Sequence, residues 1–190
     1  MKRLAICAPT PGGAVNPLVL LAARLTAWKG QRVLIEAAAR MRDAGVADFC
    51  VVLAGDAQGR TSYERELDNL VAARGLEGIV RRVGHCTDMP AAFRAASVVA
   101  VPSVEPEAFG RSAVEAQAMG APVVVSDLPA LSELTAAATN RSFPAGDVEA
   151  LSRVLTGMAS GDPLPSTPST HQPLPTWSGN AVRQAEIYKE

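Results

Sequence analysis

Seven residues separate two glutamates, Glu107 and Glu115, in the string EPEAFGRSAVE. Glu107 belongs to the loop before a helix and Glu115 to the second turn of that helix. A carboxylate in such a mouth can accept hydrogen bonds from sugar hydroxyls. The unpaired amides around Phe109, Gly110 and Arg111, at the helix start, face an anion. A second string, ARLTAWKG, sets Arg24 and Lys29 on a strand-to-helix turn with Gly30 at the helix start. Two cations beside a positive helix N-terminus suit a diphosphate, Arg as a bidentate grip and Lys as a point charge. His85, in VGHCTDM, is a base, a ligand or a plain surface side chain. Gly55 opens GDAQG, a loop whose glycines let the backbone approach a ligand closely. Taken singly, each feature has a bland reading: a solvated Arg/Lys pair, a helix-start acid, a surface histidine.

The rest of the chain narrows the chemistry by omission. It has no GxxxxGK[ST], no Gly-x-Gly-x-x-Gly after a strand, no Asp-x-Asp and no G-x-S-x-G. A P-loop kinase, a dinucleotide fingerprint, a metal-held nucleotide sugar and a nucleophile elbow each lack their signature. Cys7, Cys50 and Cys86 are scattered with no Cys-x-x-Cys pair, so neither a zinc ribbon nor a disulfide framework is expected. Cys7 and Cys50 sit in apolar runs as small buried hydrophobes, which suits a reducing cytoplasm. With 190 residues and net charge −1, the chain lacks the basic footprint of a nucleic-acid binder. Its apolar stretches are too short to span a membrane, and Pro9, Pro11, Gly12 and Gly13 interrupt the first too early for an export signal. The composition is that of a soluble, alanine-rich protein of bacterial type.

These residues need a scaffold, and the hydrophobic pattern supplies one. Strands are expected at 4–7, 18–22, 49–55, 79–83, 97–103 and 122–127. Helices are expected at 31–44, from a Thr61/Glu64 capping box to near Gly75, after the Asp88 cap, at 110–119, 129–134 and 148–158. Strand–helix alternation with short connections implies an α/β fold, a doubly wound, mostly parallel Rossmann-like sheet. Loops at the carboxyl ends of such strands carry ligands. Four domains of sequence follow: 1–16, a strand and Gly-Gly loop; 17–159, the Rossmann-like unit; 160–178, a Pro/Ser/Thr-rich linker; and 179–190, a short helix.

Together, ARLTAWKG, VLAGDAQG, VRRVGHCTDM, VVAVPSVEPEAFGRSAVEAQAMGAPVVVSD and FPAGDVEAL resemble the carboxyl-terminal, donor-binding half of family-4 (group 1) GT-B glycosyltransferases. They run in that family's order from Leu18 to about Met158. The resemblance implies a nucleotide diphosphate sugar as donor, with retention of anomeric configuration and no cofactor or metal. It implies catalytic roles for Arg24 and Lys29, which hold the diphosphate leaving group, and for Glu107, which faces the donor sugar. It further implies that Glu115 holds the ribose and that Phe109, Gly110 and Arg111 approach sugar and phosphate. Val83, Gly84 and His85 border the base, and Gly55 joins the donor site.

Two departures stand out. Ala22-Ala23 occupies the place where the family often has a glycine before the arginine, and the amino-terminal acceptor domain is missing. The expected partner is therefore an acceptor domain or a separate subunit, with no nucleic acid and no transmembrane segment, and with peripheral membrane contact open in the full enzyme. Two other readings compete: a non-catalytic nucleotide-sugar-binding module, and a less well matched nucleotide-sugar epimerase.

Overall fold

The computed structural model describes residues 17–160 apart from 47, 60 and 137–139. The expected strand at 4–7, the 1–16 segment, the 161–178 part of the linker and the 179–190 helix lie outside the described residues. In chain order the elements are β1 (Leu18–Ala22), α1 (Gln31–Asp43), β2 (Cys50–Ala54), α2 (Thr61–Ala73), β3 (Val80–Gly84), α3 (Met89–Ala95) and β4 (Val98–Val101). They continue with α4 (Arg111–Ala118), β5 (Val123–Ser126), α5 (Pro129–Ser132), β6 (Arg141–Phe143) and α6 (Val148–Ser160). Short 3-10 turns follow β1 at Ala27–Lys29 and α5 at Glu133–Ala136.

The six strands form one sheet in the order β3-β2-β1-β4-β5-β6, and every neighbouring pair is parallel. Continuous runs such as CVVLA, VVAV and VVVS are buried along their whole length, as a sheet covered on both faces demands. Alternate side chains serve opposite faces. Val19 and Leu21 join Leu34, Ile35, Met41, Leu67, Leu151 and Leu155 beneath α1, α2 and α6. Leu20 and Ala22 join Phe93, Ala113, Ala116 and Leu131 beneath α3, α4 and α5.

The edges are managed differently. β3 alternates, and its Arg82 donates to Asp68 and Glu64 of α2, placing charge where another strand would otherwise pair. That ion pairing holds the Asp68 carboxyl below its ordinary value, chiefly through the Arg82 hydrogen bond. At the far edge, β6 has three residues.

Several expectations need correction. Thr61 is the first residue of α2 rather than its cap, and Glu64 turns to Arg82. Gly84, expected in the loop after the 79–83 strand, is the last residue of β3. β6 lies at Arg141–Phe143, where the hydrophobic pattern predicts no strand. Helix α6 runs on to Ser160, the first residue assigned to the linker. Cys50 is buried as expected but disulfide-bonded rather than free.

The Asp88 cap is present: its carboxylate accepts the Ala91 N–H at 3.0 Å, with Pro90 in the first turn of α3. Asp88→Ala removes that acceptor and is expected to cost about 1 kcal/mol. Thermal unfolding followed by circular dichroism should show a fall in Tm of about 2–4 °C. An unchanged midpoint would show that the cap contributes nothing here.

Candidate functional site

The chain winds outward through β1, β2 and β3, then returns to lay β4 against the other side of β1. Loops that leave β1 and β4 must therefore diverge to opposite faces and open a crevice at their carboxyl ends. The residues singled out for chemistry cluster there.

The two loops are fastened to each other by backbone. Val104 N–H donates to the Trp28 carbonyl at 2.9 Å. Gly30, with φ of 74°, starts α1 in the left-handed region, and a Cβ on it would fall 1.8 Å from the Pro102 carbonyl oxygen. Only glycine lets the β1 loop lie this close to the exit of β4.

Across this seam Lys29 Nζ donates to Glu107 Oε1 at 2.5 Å, with the side chains 17% and 6% exposed. Ser103, fully buried, donates its hydroxyl to the same oxygen. The Lys29 ammonium also stands 4.2 Å from the centroid of the Trp28 ring, a favourable cation–π distance. Glu107 Oε2 takes no hydrogen bond among the described residues.

An open cleft of about 380 Å³ lies at the carboxyl ends of β1 and β2. Arg24, Gly55, His85, Arg111 and Glu115 all line it, so five of the expected site residues converge from the ends of β1, β2 and β3 and from α4. Asp56, Gln58, Cys86 and Ser112 line it too and were not singled out. Asp56 and Gln58 carried a signal, since both belong to the GDAQG loop. Ser112 ties the start of α4 to β1 by donating to the Ala22 carbonyl at 2.7 Å. Ala113 and Val114 donate to the Gly110 carbonyl, which leaves the Arg111 and Ser112 amides at the start of α4 available to an anion.

The remaining expected residues are not in the cleft lining. Lys29 and Glu107 are engaged with each other, Phe109 is 43% exposed and Gly110 is buried at the start of α4. Val83 is exposed at the end of β3. Gly84 is structural: its carbonyl accepts the Gly55 N–H at 2.7 Å, aligning the exits of β2 and β3.

Burial pushes the Glu115 carboxyl above its ordinary value, against the opposing pull of Arg111. A carboxyl raised in the folded state binds its proton longer there than in the unfolded chain. Its penalty is absent below the ordinary carboxylate range and complete above the raised value, so it makes stability fall as pH rises through that window. Glu115→Gln removes the penalty. The variant's Tm relative to the unaltered chain should rise from acid to neutral pH, and a difference that stays flat would contradict the assignment.

Among the described residues no group of three or more His, Cys, Asp or Glu side chains could hold a metal ion. No described helix is long and apolar enough to cross a membrane.

The family model described as "Glycosyl transferases group 1" matches residues 16–160. The chain belongs to the group 1 glycosyl transferases. Among curated group relatives, the D-inositol 3-phosphate glycosyltransferase of Salinispora arenicola is 33% identical over 185 residues, covering 91% of this chain and 41% of the relative. The chain spans less than half the length of the curated relatives it matches. Among solved structures, Anabaena HepE in complex with UDP and glucose superposes with a TM-score of 0.71 at 29% identity, over 90% of this chain and 44% of that one. The C-terminal domain of the group 1 family protein LpcC from Francisella tularensis gives a TM-score of 0.68 at 24% identity, a likeness of fold. It covers 76% of this chain and 75% of that one. The six-stranded parallel sheet is thus the Rossmann-like architecture of GT-B glycosyl transferases.

Proposed function

We propose that this chain is the donor half of a glycosyltransferase and binds a nucleotide diphosphate sugar at the seam between β1 and β4. The observation that carries the reading is the convergence of Arg24, Arg111 and Glu115 on one cleft, with Lys29 and Glu107 paired across the loops that leave β1 and β4. The binding of UDP and glucose by HepE, named in its structure, supports the same ligand class. Arg24 and Lys29 hold the diphosphate and stabilise it as it leaves, a role in which fixed cations act on developing charge. Lys29 exchanges Glu107 for phosphate when the donor enters, and Glu107 then faces the sugar. Glu115 accepts the ribose hydroxyls, His85 and the end of β3 border the base, and the amides at the start of α4 meet sugar and phosphate.

The reading extends to retention of configuration, catalysis without a metal, and a cytoplasmic role in bacterial glycan or lipopolysaccharide-type synthesis. An acceptor domain, in the same polypeptide or a separate subunit, completes the enzyme. Calorimetric titration with UDP-, GDP- and ADP-sugars tests the core of it: binding of at least one is expected. Glu115→Gln should weaken that binding by about tenfold, as loss of a charged hydrogen-bond acceptor does. No binding of any of the three would end the proposal. Donor hydrolysis and transfer assays then separate an enzyme from a binding module.

A further inference from the structure

Gln31 is the first residue of α1 and has no solvent exposure at all. A buried carboxamide is costly unless its donors and acceptor are used. Its Nε2 donates to the Arg24 main-chain carbonyl at 2.8 Å. Its Oε1 accepts from the Tyr63 hydroxyl of α2 at 3.2 Å. Tyr63 is itself buried, and burial pushes its phenol up to about 12, so it remains a donor at neutral pH.

The carbonyl thus captured belongs to the residue whose guanidinium lines the cleft. Its neighbours are held as well: Ala23 N–H donates to the Ala54 carbonyl at 3.0 Å and Leu25 N–H to the Asp56 carbonyl at 2.9 Å. The backbone from Ala23 to Leu25 is fixed at three points, two by the β2 exit and one by Gln31. The Arg24 side chain is exposed and makes no ion pair among the described residues.

We propose that Gln31 and Tyr63 are positioning residues for Arg24, a buried relay from α2 through the start of α1 that aims the guanidinium at the donor diphosphate. The inference rests on the donor-site reading above. Tyr63 fixes the orientation of the Gln31 amide, and Gln31 fixes the Arg24 carbonyl. Neither touches the ligand, so their loss acts on the phosphate grip and not on the base or ribose.

The test uses the full chain. UDP, GDP and ADP are titrated first, and the diphosphate that binds is taken with its monophosphate into the variants. Gln31→Leu, which keeps the volume and removes both hydrogen bonds, should weaken diphosphate binding by about tenfold and monophosphate binding by less than about threefold. Tyr63→Phe should shift the same ratio in the same direction by a smaller factor. In the double variant the ratio should match Gln31→Leu alone, because residues acting as one relay are not additive. Equal weakening of both nucleotides, matched by a lower Tm, would mean a merely structural role and overturn the inference. Unchanged diphosphate affinity in Gln31→Leu would overturn it as well. If the unaltered chain binds none of the three diphosphates, the donor-site reading fails and takes the inference with it.

Discussion

Lys29→Met should weaken binding of a nucleotide diphosphate by about 10- to 100-fold, since it deletes a charge-assisted contact in a partly dry site. The same change should also destabilise the free protein. Glu107 is 6% exposed, and its Oε1 would keep only the Ser103 hydroxyl. Removing one partner of a buried pair strands the other charge and costs about 3 kcal/mol. Urea unfolding should register that loss as a lower midpoint with an unchanged slope. Adding Glu107→Gln to Lys29→Met removes the stranded charge, so most of the stability returns while the affinity does not. This separation matters, because it distinguishes a cation needed for the ligand from one needed only by its counter-ion. Should Lys29→Met bind the diphosphate as tightly as the unaltered chain, Lys29 has no part in the grip.

Gly30→Ala is expected to be among the most damaging glycine-to-alanine changes at the described residues. The left-handed conformation at φ of 74° costs an alanine about 1 kcal/mol by itself. The new carbon would also fall 1.8 Å from the Pro102 carbonyl oxygen, which is backbone and has no rotamer to swing away. The β1 and β4 loops must then move apart, for a total of about 3–5 kcal/mol, a large part of a typical domain's stability. Gly45→Ala is the internal control: φ there is 89° and a Cβ meets nothing within 4 Å, so only the conformational cost applies. A Gly30→Ala protein as stable as Gly45→Ala would show that the loops are not held together as described. Because Lys29 precedes Gly30 directly, the variant should also lose the Lys29–Glu107 contact and with it the donor affinity.

Much of the architecture was legible in the sequence because the physics is local there. Runs such as CVVLA and VVVS are apolar without interruption, and only a strand covered on both faces needs that. The helices between them carry their apolar residues at helical spacing. The short edge strand was not legible: RSF has one buried residue of three, and pairing with β5 alone makes it a strand. The end of β3 differs by one residue for a similar reason: Gly84 looks like the start of a loop, yet the register with β2, irregular between Leu53 and Ala54, extends the ladder to it.

The site divided along the same line. Residue types and order along the chain pointed to Arg24, His85, Arg111 and Glu115, which do share a cleft. That Lys29 and Glu107, 78 residues apart, hold each other is a tertiary fact with no local signature. Gln31 is the sharper case. A glutamine at a helix start is unremarkable in a sequence. It becomes informative only when its complete burial and both hydrogen-bond partners are known.

The reversal in strand order has a consequence for how the protein comes to exist. Among the described strands, β1 and β4 form the single junction between β3-β2-β1 and β4-β5-β6, and it joins segments almost 80 residues apart through pairs such as Val19 with Val98. Closing a loop of that length carries an entropic penalty that only contacts across the junction can offset. Lys29 with Glu107, Val104 with Trp28 and Ser112 with Ala22 are such contacts, and all three lie at the candidate site. Arg24, Gly55 and His85 come from one side of that junction and Arg111 and Glu115 from the other, so the cleft is complete only where the two half-sheets are joined.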